Sequence, residues 1–358
     1  MGDSETVVLT ADDVARIVSE VGLDRFMDRM IETLGAALAS PVAADSLIPR
    51  RGIPLRGTPP GVIEWMPHLQ ADVVTMKLVS YSPGNHRRAG APTILGTISL
   101  YDRTTGHLEV LADAGLLTSV RTGAVSAIAT SLLADPGCRC AGLVGAGAQA
   151  VTQLHALSRV LDLEAAIVYD VDRTAAESLA ERAHFVDLDV RVASHPCEIE
   201  AQCDVICTAT SSPPGAPPVL DGCSLRPGAH LNAVGSDQAG KTELPLAILR
   251  DAVVCPDFLD QAISEGECQQ LQTADIGPDL MQLCADPERA RQLRQRLTVF
   301  DSTGFALEDH VALSLVRGFA EELGVGTRMR LEHWPKDHRN PYELNGPTER
   351  RRRACAAL

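Results

Sequence analysis

The chain has 358 residues, of which 45% are hydrophobic, 22% charged and only 3% aromatic. This composition is typical of a globular protein with one large or two ordinary domains and a mainly aliphatic core. The net charge of -15 at pH 7 repels nucleic acid and anionic membranes, so we expect neither as a partner. The one basic cluster, residues 350–353, lies in a C-terminal tail, and we expect residues 346–358 to be disordered.

The first third of the chain predicts an α+β unit with antiparallel strands. Apolar residues recur at helical spacing over residues 11–38, which predicts one long helix. Residues 50–61 are rich in proline, glycine and arginine, so we expect a loop there. Strand-like runs follow, and they cover residues 62–65, 73–79, 93–101 and 107–111.

From about residue 118 the pattern becomes that of a doubly wound α/β sheet. A helix rich in small residues is predicted over residues 118–133. After it, strands and helices alternate, which is typical of a parallel sheet. The predicted strands are 140–144, 165–169, 204–208, 230–234, 252–255 and 298–300, with a helix at 148–161. A final helix near residues 308–323 leads into the polar tail.

The segment Gly145–Ala150 fits the dinucleotide-binding pattern G-x-G-x-x-G/A between a buried strand and a helix. Gly145 would allow the tight turn, and Gly147 would let the backbone approach a pyrophosphate. Asp170 ends the second strand, where it would accept hydrogen bonds from the ribose and repel a 2′-phosphate. We therefore predict a Rossmann-type domain that binds NAD, although Arg173 leaves NADP possible. The alternative is a plain turn in which Asp170 caps the next helix.

Single charged residues stand in otherwise apolar segments at several places. Glu64 and Lys77 each interrupt a predicted strand, Arg121 opens the small-residue helix, and Asp237 follows a strand end. A buried charge is costly unless it is paired or used. Each residue alone could be a core ion pair. Together, beside a dinucleotide turn, they predict an active site.

These segments resemble the ornithine cyclodeaminase/μ-crystallin family from about residue 8 to about residue 330. The resemblance rests on the order and spacing of IEWMP, MK, LTSVRTGA, VGAGAQA, NAVGSDxxGKTEL, GECQQL and VFDSTGFALED. Within the family, the chain is most similar to the members that act on lysine, through PGVIEWMPH, VSYSP, PTILGT, AQAVTQLHALSRVL and FDSTG. Ornithine-specific members tend to have an apolar residue where Thr303 stands.

The resemblance implies a substrate site made of cations and acids. Three cations would hold the substrate carboxylate: Arg51, Lys77 and Arg121. In the same loop, Arg50 or Arg56 could take the place of Arg51. Glu64 would receive the distal ammonium, Asp237 would be the central acid and base, and Thr303 would lie against the substrate chain. Such a cluster of cations suits a carboxylate and would fix the amino acid in front of the nicotinamide.

The resemblance also implies the residues that touch the cofactor, which is NAD, and it implies no metal. These residues lie at strand ends and helix starts. They are Thr93, Thr122, Gly145, Gly147, Ala148, Gln149, Asp170, Thr208, Asn232, Ala233, Val234, Lys241 and Ser302.

The implied activity is the conversion of L-lysine to L-pipecolate and ammonia without net oxidation. NAD+ would take a hydride from Cα, the distal amine would attack that carbon, ammonia would leave, and the hydride would return. L-Ornithine, which is one methylene shorter, would give L-proline. Two rivals are a net NAD(P)-dependent dehydrogenase or imine reductase, and a binding protein. Glu64 argues against the first, because a plain alanine dehydrogenase has no distal amine to bind.

The resemblance further implies two domains with the active site between them. Residues 1–120, rejoined by residues 310–345, would form a substrate and dimerisation domain. Residues 121–309 would form the dinucleotide domain, and the protein would be a homodimer through its N-terminal sheet. The N-terminus lacks the features of a signal peptide, and the ten cysteines form no CxxC pair. We therefore predict a cytoplasmic protein with free thiols.

Overall fold

The computed structural model describes residues 5–41, 46–58, 60–85 and 89–343, and these residues form an α/β fold on two seven-stranded sheets. The strands are β1 (Thr6–Leu9), β2 (Arg51–Leu55), β3 (Gly61–Leu69), β4 (Val73–Tyr81), β5 (Ile94–Asp102), β6 (Leu108–Asp113), β7 (Cys140–Val144), β8 (Ala165–Tyr169), β9 (Asp189–Val192), β10 (Val205–Thr208), β11 (His230–Ala233), β12 (Val253–Pro256), β13 (Thr298–Asp301) and β14 (Thr327–Met329). The α-helices are α1 (Ala11–Val21), α2 (Leu23–Ala39), α3 (Gly115–Leu133), α4 (Ala148–Val160), α5 (Arg173–Glu177), α6 (Leu179–Arg182), α7 (Pro196–Gln202), α8 (Leu246–Asp251), α9 (Leu259–Ala262), α10 (Leu280–Ala285), α11 (Pro287–Arg291) and α12 (Ala306–Leu323).

The first sheet joins the N-terminal strands to the last strand of the chain, in the order β14-β1-β6-β5-β4-β3-β2. Side chains alternate between the two faces of a strand. Because Glu64 lies opposite Val79 and Met66 opposite Lys77, Glu64 and Lys77 are on the same face. Helix α12 packs against β3 and β4, and β14 pairs with β1. The C-terminal segment therefore returns to the first sheet, whereas the domain boundaries at residues 120 and 310 stay predictions.

The second sheet is parallel throughout, in the order β9-β8-β7-β10-β11-β13-β12. The direction of chain order reverses between β7 and β10. Strands β8 and β9 lie on one side of β7, and the chain then crosses to β10 on the other side of β7. In such sheets the ligand lies outside the carboxyl ends of the strands at this switch point. The predicted Rossmann-type fold with a second α/β unit is confirmed, and β7 and β8 begin and end at the predicted residues.

The single helix predicted over residues 11–38 is divided in two. Gly22 separates α1 from α2 and has a φ of 89°, a conformation that glycine adopts without steric cost. Ile17 before the break and Met30 after it are both fully buried. The apolar spacing thus continues across the break, and periodicity alone does not reveal it.

The loop predicted over residues 50–61 contains an edge strand. Strand β2 pairs antiparallel with β3, and Arg51 lies opposite Trp65. An edge strand tolerates Pro54, because the N–H that proline lacks needs no partner on the open side. The proline and glycine residues that indicate a loop are therefore compatible with this strand.

Helix α3 lies in the protein interior. By length and composition it could cross a membrane, but 78% of its most apolar window is buried inside the protein. The described cysteines are free thiols, and most are buried or half-buried. No group of three or more metal-ligating side chains occurs among the described residues. The cytoplasmic location stays a prediction, and residues 346–358, predicted to be disordered, lie outside the described residues.

Candidate active site

A cavity of about 740 Å³ lies between the first sheet and the carboxyl ends of the second sheet. Its walls contain thirteen of the residues predicted for the substrate or cofactor. These are Glu64, Lys77, Thr93, Arg121, Thr122, Gly147, Ala148, Gln149, Val234, Asp237, Lys241, Ser302 and Thr303. Residues more than 200 positions apart thus meet in one cleft, where the topology predicts a ligand.

The glycine-rich turn forms one end of the cavity. Gly145 has a φ of 100°, and a Cβ atom there would lie 2.6 Å from the carbonyl oxygen of Ala209. Gly147 is the N-cap of α4 and no side chain caps the helix there. Because Gly147, Ala148 and Gln149 line the cavity, the uncapped start of the helix lies at its wall. Asp170 lies just behind the turn, and its Oδ2 accepts a hydrogen bond of 2.6 Å from the backbone N–H of Ala146.

Three predicted cofactor residues have side chains that point into the second sheet. Thr208, Asn232 and Ala233 are fully buried, and the Asn232 amide donates a hydrogen bond of 2.9 Å to Thr130 Oγ1 on α3. The strands of a parallel sheet are covered on both faces, so side chains within them pack in the core. The contact of these three residues with the cofactor stays a prediction.

The arginine of this segment that lines the cavity is Arg50, the alternative to the predicted Arg51, and its contact with the substrate stays a prediction. Arg51 is exposed on β2, whereas Arg50 is buried and lines the cavity. The Arg50 guanidinium lies 3.3 Å from Glu64 Oε1 and donates to Glu265 Oε2 at 2.8 Å and to the Thr303 carbonyl at 3.1 Å. Neighbouring residues at a strand point in opposite directions, so only one of the two arginines can face the site.

Two cations of the cavity wall, Lys77 and Arg121, belong to a buried cluster with two acids, Glu308 and Asp309, which we call the four-charge cluster. Lys77 Nζ lies 2.9 Å from Asp309 Oδ1, and Arg121 Nε lies 3.2 Å from the same oxygen. Arg121 Nη1 also forms an ion pair with Glu308 Oε2. Both acids are in the first turn of α12, where the helix dipole favours negative charge.

Burial changes the ionisation of this cluster. It lowers the pKa of Lys77 to about 8, although Asp309 opposes the change. It raises the pKa of Glu308 to about 8, although Arg121 opposes that change. The pKa values of Lys77 and Glu308 therefore lie close to each other, near 8.

Asp237 lines the cavity, and its main-chain carbonyl accepts a hydrogen bond from Arg50. Its carboxylate is partly exposed, and Oδ1 accepts a hydrogen bond of 2.9 Å from Lys241 Nζ. The Lys241 ammonium is buried over the ring of Tyr81, 5.4 Å from its centroid. Burial raises the pKa of Glu64, although Arg50 opposes the change. Two acids that reach the cavity are thus available to hold an ammonium or to move a proton.

Comparison with known proteins agrees with this geometry. The model of the ornithine cyclodeaminase/mu-crystallin family matches residues 11–323. The chain belongs to this family. It is 48% identical to the L-lysine cyclodeaminase of Streptomyces rapamycinicus, over 95% of this chain and all of that protein. It is 29% identical to the ornithine cyclodeaminase of Agrobacterium tumefaciens, over 94% of this chain and 93% of that protein.

Solved structures of other cyclodeaminase-family proteins have the same fold. One describes how a lysine cyclodeaminase recognises L-lysine, L-ornithine and L-2,4-diaminobutyric acid. It superposes with a TM-score of 0.90 at 49% identity, over 95% of this chain and 99% of that one. An archaeal alanine dehydrogenase dimer with bound NAD superposes with a TM-score of 0.80 at 29% identity, over 92% of this chain and all of that one.

Several acids near the site have no part in the predicted cyclodeaminase site, although they stand in the family's segments or beside one. Glu308 and Asp309 belong to VFDSTGFALED, and Glu265 directly precedes GECQQL. Glu243, in GKTEL, is fully buried and accepts hydrogen bonds from the backbone N–H groups of Thr210 at 2.7 Å and Gly235 at 2.8 Å. A pair of acids at the start of an apolar helix was a signal available in the sequence.

Proposed function

We propose that the protein is an NAD-dependent cyclodeaminase that converts L-lysine to L-pipecolate and ammonia with no net redox change. One observation carries the proposal: the same cavity is lined by two cations, Lys77 and Arg121, and by an acid, Glu64. A diamino acid has the complementary pattern of one carboxylate and one distal ammonium. The 48% identity to a lysine cyclodeaminase supports lysine as the substrate.

The residues at the dinucleotide end fit NAD. Gly147 leaves space, since a Cβ atom there would have no neighbour within 4 Å, and the uncapped start of α4 offers N–H groups to a pyrophosphate. Asp170, at the end of β8, suits the ribose hydroxyls and disfavours a 2′-phosphate. The bound nicotinamide would supply hydride transfer, first from and then back to the α-carbon of the amino acid.

The chain's own residues would orient the substrate and move its protons. Lys77 and Arg121 would bind the α-carboxylate and fix Cα against the nicotinamide face. Glu64 would bind the distal ammonium. Asp237, with Lys241 on its Oδ1, would take the proton from the α-amine and return one to the leaving ammonia.

A net dehydrogenase is less well supported than a cyclodeaminase. An alanine dehydrogenase of the family needs no acid for a distal amine, whereas Glu64 lines this cavity. The two substrates L-lysine and L-ornithine differ by one methylene, and a binding site typically discriminates between such substrates by only roughly 1–3 kcal/mol. Ornithine therefore stays the second candidate substrate.

A product assay tests this function. The purified protein is incubated with catalytic NAD+ and either L-lysine or L-ornithine, products are identified by chiral mass spectrometry, and NADH absorbance is followed. We expect L-pipecolate and ammonia without net NADH. L-Proline as the preferred product would move the assignment to ornithine. Stoichiometric NADH would mean that the protein is a dehydrogenase.

Arg50 and Arg51 form a matched pair of variants for the substrate site. Arg50→Lys keeps the charge but loses the fork that joins Glu64, Glu265 and the Thr303 carbonyl. We expect kcat/KM for L-lysine to fall by roughly 10- to 100-fold, since hydrogen bonds to charged groups contribute about 1.5–3 kcal/mol. Arg51→Lys, on the exposed face, should change it less than about twofold. Equal losses in steady-state assays of both variants would contradict the reassignment to Arg50.

We further propose a homodimer formed through the outer face of the first sheet. Ile53, Trp65, Leu78 and Leu95 lie on the face opposite to Glu64 and are between 36% and 55% exposed. Monomeric proteins seldom expose a continuous apolar patch, and the similar archaeal alanine dehydrogenase is a dimer. Sedimentation at micromolar concentration should give twice the chain mass. A monomer alone would refute the dimer.

A further inference from the structure

The charge balance of the four-charge cluster does not suit a substrate carboxylate if every group in it is ionised. Lys77 and Arg121 are then neutralised by Glu308 and Asp309, and all four side chains are at most 5% exposed. A bound α-carboxylate would add an uncompensated negative charge to a buried site. Such a charge is costly, so one of the acids has to be neutral for the cluster to attract the carboxylate.

The hydrogen bonds of the two acids differ. Asp309 Oδ1 contacts both cations, Lys77 at 2.9 Å and Arg121 at 3.2 Å. Glu308 contacts only Arg121 among the described cations, through Oε2. Glu308 Oε1 and Asp309 Oδ2 are both fully buried without a hydrogen-bond partner among the described residues, so the two acids differ in the number of cations they contact, one for Glu308 and two for Asp309. A bare anionic oxygen in that position is unfavourable, whereas a protonated one is neutral. Glu308 is therefore the acid with less compensation for its charge.

We propose that Glu308 holds a proton when the amino acid binds, so that the four-charge cluster presents one net positive charge to one α-carboxylate. Glu308 is then a positioning residue that acts on the substrate through Arg121. This inference rests on the proposed function, because it assumes an amino acid substrate. It adds a residue and a proton to the site, and it predicts that binding of the carboxylate is linked to pH.

The charged groups that face Glu308 come from three parts of the chain besides its own helix. They are Arg121 from α3, Lys77 from β4, Asp257 after β12, and Asp309. Burial, with a smaller effect of the two facing acids, raises the pKa of Glu308 to about 8, although Arg121 and Lys77 oppose the change. Because a carboxyl group with a raised pKa loses its proton as the pH rises through that value, affinity for the carboxylate should fall above pH 8. Lys77 loses its proton over the same range, so a variant has to separate the two groups.

Glu308→Gln replaces the carboxyl group by an amide of nearly the same shape that is neutral at every pH. Its control is Glu322→Gln, on the exposed part of the same helix. The NAD-loaded proteins are titrated calorimetrically with L-pipecolate at pH 7 and pH 9, in two buffers of different ionisation enthalpy. At pH 9, binding of one L-pipecolate should be accompanied by uptake of close to one proton more in the wild type and Glu322→Gln than in Glu308→Gln. Their affinity should also fall about tenfold more between pH 7 and pH 9, since one group with a pKa near 8 is removed.

Equal proton uptake in Glu308→Gln and the wild type would overturn the inference and leave the proposed function intact. The wild type gives a second measurement that does not depend on the folding of a variant. If it binds L-pipecolate at pH 9 without proton uptake, the inference is wrong. If it binds neither L-pipecolate nor L-lysine at either pH, both this inference and the proposed function fail.

Discussion

Replacing Asp237 by asparagine should lower kcat for L-lysine by about 10²- to 10⁴-fold, the usual contribution of general acid–base catalysis. Asparagine has nearly the same shape and can still accept the hydrogen bond that Lys241 donates to Oδ1 at 2.9 Å. It cannot take a proton from the α-amine. The dinucleotide turn around Gly147 is untouched, so NAD should bind as it does in the wild type. Turnover by mass spectrometry and NAD affinity by calorimetry are measured on the same preparation.

Asp162→Asn is the control for this variant, because its carboxylate is 89% exposed and Asp162 follows the C-terminus of α4, whereas the cavity is at the N-terminus of that helix. It should have wild-type turnover. Activity of Asp237→Asn within about threefold of the wild type would remove Asp237 from the acid–base role. Loss of NAD together with activity would mean that Asp237 supports the cofactor site, and the catalytic interpretation would then have to be abandoned.

The features that could be predicted from the sequence are those set by local patterns. The strand 140–144 and the strand 165–169 end at the predicted residues, because a strand buried on both faces is a continuous apolar run with polar ends. The turn at Gly145 could be predicted from the spacing G-x-G-x-x-G/A, in which the small residues allow a tight turn and a close approach of the backbone to a ligand. Glu64 and Lys77 were found because a lone charge in an apolar strand is costly without a purpose.

The features that escaped prediction depend on contacts between distant parts of the chain. Arg50 and Arg51 differ by one position, and a shift of one residue exchanges the two faces of a strand. The choice between them is made by the pairing of β2 with β3. Asn232 has a polar side chain beside the cavity residue Val234, yet its partner is Thr130, 102 residues earlier. No local pattern specifies such partners.

The acids of the four-charge cluster escaped prediction for the same reason. Glu308 meets Arg121 across 187 residues, and Asp309 meets Lys77 across 232 residues. The sequence predicts that Lys77 and Arg121 each have a role in the site, but it does not predict which acids form ion pairs with them. The number of charges in the site, and thus its preference for one carboxylate, follows only from the fold.

Gly145 and Gly147 are two positions apart, and alanine should lower stability at the first and NAD affinity at the second. At Gly145, with a φ of 100°, the left-handed backbone alone costs alanine about 1–2 kcal/mol. The new Cβ would also lie 2.6 Å from the Ala209 carbonyl oxygen, and Ala209 is fixed because its N–H donates to Val144. The free energy of unfolding without cofactor, measured in urea, should fall by more than the backbone cost.

At Gly147 the backbone has an ordinary φ of -75°, and a Cβ would meet nothing within 4 Å. Alanine is a slightly poorer N-cap than glycine, so Gly147→Ala should cost less than about 1 kcal/mol in the absence of cofactor. The same Cβ would occupy the space that the pyrophosphate needs at the start of α4, and NAD affinity should fall at least about tenfold, or about 1.4 kcal/mol. Gly145→Ala thus tests the turn and Gly147→Ala tests its ligand. Normal NAD binding by Gly147→Ala would mean that the pyrophosphate lies elsewhere, and full stability of Gly145→Ala would contradict the geometry of the turn.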